Sequence, residues 1–400
     1  MKIRGNLLTQ ILIAFILAII LGVIFGNSVA VLKPLGDLFL RLIKFIIAPL
    51  VFTTLVVGVG SIGDPKQLGR IGIKTISYYL LTTGVAIIIG LAVAFLISPG
   101  KGVDLTMEHQ DLTVTEPTSI LDTFLNIVPT NPFAALAEGN ILQIIFFALF
   151  VGLAITFVGK KAEPVYNFFE GFAEVMYKIT GIVMKVAPLG ILGLVAPIIG
   201  GYGLSVLMPL LKVIIAVALG CILHAVLVYS TAVKTFAKMS PFRFFKGISP
   251  AALVAFSTAS SAGTLPVTIK NTQENLGVSN KISSFVLPLG ATINMDGTAI
   301  YQGVAVIFIA QFFGLDLTFM QLVTVVLTTI LASIGTAGVP GAGLIMLTMV
   351  LSSVNIPLEG IALIAGIDRI LDMFRTTVNI VGDASAAVVV AGTEGELDKE

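Results

Sequence analysis

The 400-residue sequence predicts an all-α polytopic membrane protein with eight transmembrane helices and two re-entrant helical hairpins. Three observations carry this. The chain is 56% hydrophobic and 11% charged, where a soluble domain carries about a quarter charged residues. Several apolar runs reach the 18 or more residues that a spanning helix needs, whereas barrel strands would appear as alternating segments of about 10 residues. Finally, two late apolar regions are interrupted by small and polar residues, "STASSAGTLP" and "GTAGVPGAG". Irregular backbone is tolerated at membrane depth only inside protein or beside water.

The elements follow in order. The first apolar run, near 6–26, follows Lys2 and Arg4 and is too long for a signal-peptide core, so it reads as a retained first helix. Further helices are expected near 36–60, 73–97, 124–158, 170–200 and 204–236. Basic residues follow the second, fourth and sixth: Lys66, Arg70 and Lys74, then Lys160 and Lys161, then Lys234, Lys238, Arg243 and Lys246. Basic loops mark the cytoplasmic side, which puts the N-terminus in the cytoplasm. Residues 101–120 read as an exposed external loop.

The alternation stops at the seventh region, near 245–275, because Lys270 and Lys281 lie on the same side as Lys246. A region that begins and ends on one side is a hairpin, with its tip at "STASSAGTLP". The ninth region, near 318–353, repeats the pattern around "GTAGVPGAG". Each hairpin precedes a helix with a polar motif, near 282–313 and 358–392. The two units enter from opposite sides. Inverted repeats with broken helices meeting near the midplane mark secondary transporters.

The last helix carries "DRILDMFRTTVNIVGD", residues 368–383. On a helix, Asp368, Asp372, Arg375, Asn379 and Asp383 fall on a stripe about 80° wide, with Thr376 at its edge. An ionised residue at mid-bilayer costs about 2.5–3.5 kcal/mol, so such residues are functional by default. With Asp296 of "NMDGT" the region carries an excess of carboxylates, which asks for cations. Hard oxygen ligands suit alkali ions rather than soft metals. Arg375 offers a planar donor fork to a carboxylate, and Asp372, one turn away, suits an ammonium. An acidic amino acid meets these demands. The plain alternative is mutual neutralisation, Asp368 with Arg369 or Asp372 with Arg375.

Elsewhere the sequence is less informative. Arg369, off the stripe, reads as a structural partner. His224, alone in its span, reads as packing, and Cys221 as small apolar filler. One cysteine excludes an internal disulfide, and the net charge of +1 gives no field for nucleic acid. An intramembrane aspartyl protease is not supported, because the Tyr-Asp and Gly-x-Gly-Asp pairs are absent.

In this order, "SSAGTLP", "GATINMDGT", "GTAGVPGAG" and "DMFRTTVNIVGD" resemble the dicarboxylate/amino acid:cation symporter family, the glutamate-transporter-like group, over essentially the whole chain. The resemblance implies a homotrimer in the plasma (inner) membrane with both termini cytoplasmic, working as an elevator. Residues 1–70 and 99–200 would form a scaffold; residues 71–98 and 201–400 would form the moving transport domain, with hairpins near 241–276 and 318–354. It implies substrate contacts from Ser260 and Ser261 at the first tip, Val339 and Gly343 at the second, and Thr298, Asp372, Arg375, Thr376 and Asn379. It implies one sodium site at Gly290, Asn294, Asn379 and Asp383. A second would lie at Thr292, Ser333, Ile334 and Thr336, and a third at Tyr79, Thr82, Thr83, Asn294 and Asp296. Sodium ions are the co-transported species, and no organic cofactor is implied.

Within the family, Arg375 argues for an acidic side chain, Asp372 for an amino acid over a plain dicarboxylate, and Asp383 for sodium. Gln302 stands where animal members carry a proton-bearing glutamate. Ala259 and Met373 stand where archaeal and animal members, respectively, place a further arginine, and Phe374 is animal-like. The function expected is sodium-coupled symport of L-aspartate and/or L-glutamate. A proton-coupled glutamate or C4-dicarboxylate symporter of the same fold is the alternative.

Overall fold

The structure, a computed structural model, describes residues 7–60, 65–101, 125, 128–333 and 341–398. Among them the chain is nearly all helical, with an isolated β-bridge between Val278 and Leu397 in place of any strand. Among the described residues six helical stretches are long and apolar enough to cross a membrane, and the chain is a multi-pass membrane protein. Shorter apolar helical stretches, Ala48–Gly60, Lys185–Gly201, Phe319–Ser333 and Ala342–Ser353, lie between them.

Among the described residues the first helices are labelled α1 (Leu7–Phe25), α2 (Lys33–Gly60), α3 (Pro65–Ile97), α4 (Pro132–Glu138), α5 (Ile141–Val158) and α6 (Glu163–Tyr202). The expected helix near 124–158 is not continuous. Gly139 takes a left-handed φ of 73° and ends α4, while the Asn140 side chain caps the start of α5. Glycine accepts that conformation without a Cβ penalty. The external loop expected at 101–120 lies outside the described residues from 102 onward.

The expected helix near 204–236 is interrupted too. It runs as α7 (Leu207–His224), a π turn over Ala225–Tyr229, and α8 (Ser230–Phe236). Two helical hairpins follow in the second half. The first is α9 (Pro241–Thr258) and α10 (Ser261–Glu274). Ala259 turns the chain with φ 51°, and the Ser260 hydroxyl accepts the Gly263 N–H at 3.0 Å, an N-cap. At the open end Asn275 Nδ2 donates to the Gly247 carbonyl at 2.9 Å, so the two legs run antiparallel.

The polar-motif helix after it breaks at Asn294 and Met295, giving α11 (Asn280–Ile293) and α12 (Asp296–Phe312). The second hairpin is α13 (Phe319–Ser333) and α14 (Ala342–Ser353), its open end joined by Gln321 Nε2 donating to the Val354 carbonyl at 3.3 Å. Its tip, with Ile334, Thr336 and Val339, lies outside the described residues. The chain then enters α15 (Ile361–Glu394), which passes unbroken through the charged stretch.

Helices α1, α2, α5 and α6 pack on one another; α3, α7, α9–α12 and α14 pack against α15, and α13 packs on α3, α12 and α14. The apolar exposure is one-sided. Large exposed hydrophobics line α1, α3, α5, α6 and α7, including Ile20, Leu96, Phe157, Phe168 and Ile222, but are absent from α11, α12, α14 and α15. In the most apolar 18-residue stretch of the first span 17% of residues are buried, whereas in that of the span at 280–312 all are. A lipid-facing shell therefore surrounds two polar-motif helices.

The two hairpins meet α15 from opposite ends. The base of the first sits at the C-terminal end of α15: the Asp398 N–H donates to the Gly277 carbonyl at 2.8 Å, and the Ser279 N–H to the Glu396 carbonyl at 3.1 Å. The base of the second adjoins the N-terminal end, through residues 354–360. The end of α9 and the start of α14 reach α15 at neighbouring residues. Arg369 Nη2 donates to the Thr258 carbonyl at 3.0 Å, and the Gly341 N–H donates to Asp372 Oδ2 at 3.1 Å.

One contact sets how tightly α12 is held to α15. A Cβ on Gly297 would sit 2.2 Å from the Arg375 carbonyl oxygen, which is backbone within a helix and has nowhere to go. Gly297→Ala is expected to lower stability by at least about 1–3 kcal/mol, the range for overpacking a filled interior. Thermal unfolding of the detergent-solubilised variant checks this.

Candidate functional site

Among the described residues, five Asp, Glu, Lys and Arg residues are buried as whole residues: Asp296, Asp368, Asp372, Arg375 and Asp383. Four acids therefore face one guanidinium, all on α12 and α15. Local periodicity explains this for α15, whose stripe faces inward as its spacing predicts. Arg369 does not belong to the set. It is half-buried and turned to the first hairpin tip, where it takes up a carbonyl of the last turn of α9. A cation there also complements the negative end of that helix's dipole. The excess of buried negative charge is thus larger than a count over the whole stripe implies.

At one end of the site, Arg375 is 1% exposed. Nη1 donates to Asp368 Oδ1 at 2.8 Å, Nη2 lies 2.9 Å from Asp372 Oδ1, and the guanidinium carbon sits 4.2 Å from the centroid of the Tyr301 ring. Gly343 backs directly onto it. The sequence left two pairings open, Asp368 with Arg369 or Asp372 with Arg375; the structure pairs Arg375 with both aspartates. Even so, Nε makes no hydrogen bond among the described residues, and Nη2, ion-paired with Asp372 through one edge, keeps a second N–H. Buried polar groups are otherwise nearly always satisfied. A side of the fork is therefore available to a carboxylate. Asp372 is more committed, with Oδ2 on the Gly341 N–H and Oδ1 near the Thr376 hydroxyl at 3.4 Å.

Asn379 joins the two ends. Its Oδ1 accepts the Gly297 N–H at 2.8 Å, its Nδ2 lies 3.5 Å from Thr298 Oγ1, and its backbone carbonyl accepts Asn294 Nδ2 at 3.0 Å. Asn294 Nδ2 also donates to Asp383 Oδ1 at 2.9 Å, while Asn294 Oδ1, a buried acceptor, has no partner among the described residues. Gly290 lets this carboxylate approach. A Cβ there would sit 2.5 Å from both Asp383 Oδ1 and the Tyr79 hydroxyl. Tyr79 in turn donates to the Val286 carbonyl at 2.9 Å.

The other expected residues fall as follows. Thr83 Oγ1 donates to Asp296 Oδ1 at 2.7 Å, and the Thr82 hydroxyl turns back to the Tyr79 carbonyl at 3.2 Å. Ser261 and Ser333 are buried, and the Ser333 hydroxyl donates to the Ile330 carbonyl at 2.7 Å. Thr292 is exposed, with its hydroxyl on the Leu289 carbonyl at 2.9 Å, away from the buried acids.

Two residues that sequence reasoning passed over also reach this region. His224 Nε2 lies 3.2 Å from Asp296 Oδ2, and the Tyr229 hydroxyl donates to the same oxygen at 2.8 Å. His224 is therefore not a packing residue. A polar ring in the middle of an otherwise apolar span was the available signal.

A buried, charge-rich centre on α12 and α15, inside a shell of apolar helices, defines a membrane carrier. The chain belongs to the sodium:dicarboxylate symporter family, whose model matches residues 7–393. It is 42% identical to the proton/sodium-glutamate symport protein of Geobacillus stearothermophilus, over 98% of this chain and 95% of that one. It is 40% identical to the proton/glutamate-aspartate symporter of Escherichia coli K12, over 100% of this chain and 95% of that one. It is 35% identical to the C4-dicarboxylate transport protein of Bacillus subtilis 168, over 100% of this chain and 96% of that one.

Proposed function

We propose that the chain carries L-aspartate and/or L-glutamate across the plasma (inner) membrane in symport with sodium. The observation that carries this reading is the set of buried charges: four aspartates against one arginine whose Nε has no hydrogen-bond partner among the described residues. A dicarboxylate amino acid supplies an acceptor for that fork. Cations supply the positive charge that the acids lack. Neither alone balances the site, which is a physical basis for coupling: whatever the cation adds to substrate affinity, the substrate adds equally to cation affinity.

In this reading Arg375 and Thr298 hold the side-chain carboxylate of the substrate, and Asp372 its amino group. Ser260, Ser261, Thr376 and Asn379 hold the α-carboxylate, with Val339 and Gly343 closing the second tip. Sodium is cargo rather than a resident cofactor. Asp383 with Gly290, Asn294 and Asn379 would bind one ion, and Asp296 with Tyr79, Thr82, Thr83 and Asn294 another. The backbone near Thr292, Ser333, Ile334 and Thr336 would bind a third. Eight spanning helices, two re-entrant hairpins, a homotrimer and cytoplasmic termini complete the proposal. The bundle of α1, α2, α5 and α6 would stay fixed while the bundle around α15 moves as an elevator, a division supported by their separate packing.

A second reading, a proton-coupled glutamate or C4-dicarboxylate carrier, draws on one specific observation. Both Asp372 oxygens are already engaged, by Arg375, Thr376 and the Gly341 N–H. A dicarboxylate needs no ammonium partner there, and relatives named for proton coupling and for C4-dicarboxylates exist. Calorimetric binding of L-aspartate, L-glutamate and succinate to the purified protein, each in sodium and in choline, decides between them. The proposal expects heat with an amino acid only in sodium. Binding of succinate alone, or equal binding of aspartate in choline, overturns it.

A further inference from the structure

The Asp296 carboxylate is held by three donors from three separate parts of the chain. Thr83 on α3 takes Oδ1, while His224 at the end of α7 and Tyr229 at the end of the π turn both reach Oδ2. All four side chains are fully enclosed, at 0% exposure. The π turn makes the double contact possible. On a regular α-helix two residues five apart point about 140° away from each other. The i→i+5 bonding of a π turn brings them onto one side. The His224 and Tyr229 rings accordingly lie edge to face, with centroids 4.8 Å apart. A π turn inserted in an α-helix recurs at functional sites, and this one delivers two donors to one oxygen.

The Tyr229 hydroxyl does a second thing. It also lies 3.3 Å from the Val378 carbonyl on α15, and it stands where a Cβ on Gly382 would be, 2.5 Å away. It therefore ties Asp296 to the helix that carries Asn379 and Asp383. The proton is assigned to His224 Nε2 because its neighbour is an acceptor; Nδ1 then has no partner among the described residues. Hydroxyl and imidazole donors orient a carboxylate without neutralising its charge. Among the described residues the buried cationic side chain is Arg375, which is already engaged by Asp368 and Asp372.

We infer that His224 and Tyr229 are positioning residues for cation coupling: they clamp Asp296 Oδ2 and so aim the carboxylate at the ion bound with Tyr79, Thr82, Thr83 and Asn294. This rests on the reading of Asp296 as a cation ligand given above. Groups that orient a ligating side chain typically contribute 10–100-fold to ion affinity. Because the clamp acts on the ion and not on the substrate, its loss changes cation dependence and leaves substrate half-saturation in excess cation unchanged.

The test uses the full chain in proteoliposomes and measures L-aspartate uptake against sodium concentration. Tyr229→Phe keeps the ring and removes only the donor. His224→Leu removes the other donor, and His224→Gln offers an N–H at similar reach. Tyr229→Phe and His224→Leu are expected to raise half-saturating sodium by about tenfold, with aspartate half-saturation in saturating sodium unmoved, and His224→Gln is expected to recover most of the His224→Leu loss. If half-saturating sodium in Tyr229→Phe equals that of the unmodified chain, the inference fails. It fails also if Gln and Leu at 224 are equally impaired, which marks a packing role. An unmodified chain that takes up aspartate without sodium overturns the parent reading and this one with it. A sodium-dependent chain with unmoved variants overturns this one alone.

Discussion

Replacing Arg375 by cysteine is expected to abolish uptake of acidic amino acids, with a loss of at least about a hundredfold. The guanidinium is the one buried arginine or lysine among the described residues; its Nε has no hydrogen-bond partner there, and Nη2 keeps a second N–H beside its pair with Asp372. Two charge-assisted hydrogen bonds to a substrate carboxylate are worth about 1.5–3 kcal/mol each, and each 1.4 kcal/mol is about tenfold in affinity. The substitution also strips Asp368 and Asp372 of their shared partner, and breaking a buried ion pair costs about 3–5 kcal/mol of stability.

Arg375→Lys separates the two effects. It keeps the charge beside both aspartates but loses the planar fork, so it is expected to fold and still discriminate poorly. Competition of aspartate uptake by a neutral amino acid of similar length reads the outcome in both variants. Wild-type preference for the acidic substrate in Arg375→Cys would remove Arg375 from the substrate site.

Asp383→Asn is expected to raise half-saturating sodium by at least about tenfold. Asparagine has nearly the same shape, and its side-chain oxygen still accepts from Asn294 Nδ2, as Asp383 Oδ1 does now at 2.9 Å. What disappears is one negative charge in a region where, among the described residues, Arg375 is the buried cation. A unit charge acting on a cation about 4 Å away is worth up to about 4 kcal/mol at an effective dielectric of about 20. By linkage, substrate affinity at fixed subsaturating sodium must fall with it. Titrating sodium at constant aspartate, then aspartate at constant sodium, checks both halves. An unchanged sodium dependence would take Asp383 out of the cation site.

The two variants should also differ in kind. Arg375→Cys changes which solute is accepted, whereas Asp383→Asn changes how much sodium is needed to accept it. Arg375 and Asp383 stand at opposite ends of one stripe, joined through Asn379, whose side chain accepts from Gly297 of α12 and whose backbone carbonyl accepts from Asn294 in the break before it.

Much of this protein was legible in its residues alone. The apolar runs, the two interrupted regions and the inward stripe from Asp368 to Asp383 are properties of neighbours in the chain. A helix repeats every 3.6 residues, so spacing alone tells which side chains share a face. Gly139, with its left-handed φ, shows where such reading loses resolution, since one residue broke a helix whose apolar pattern ran on past it. The break at Asn294 and Met295 and the π turn after His224 escaped it for the same reason. Apolar windows average over the few residues that decide a local backbone change.

What only the tertiary structure decided is which faces meet. Arg369 finds the Thr258 carbonyl 111 residues away. Thr83, His224 and Tyr229 converge on Asp296 from separations of 213, 72 and 67 residues. No periodicity encodes such distances. They follow from how enclosed helices fill space together, and a buried carboxylate takes whichever donors that packing brings within reach.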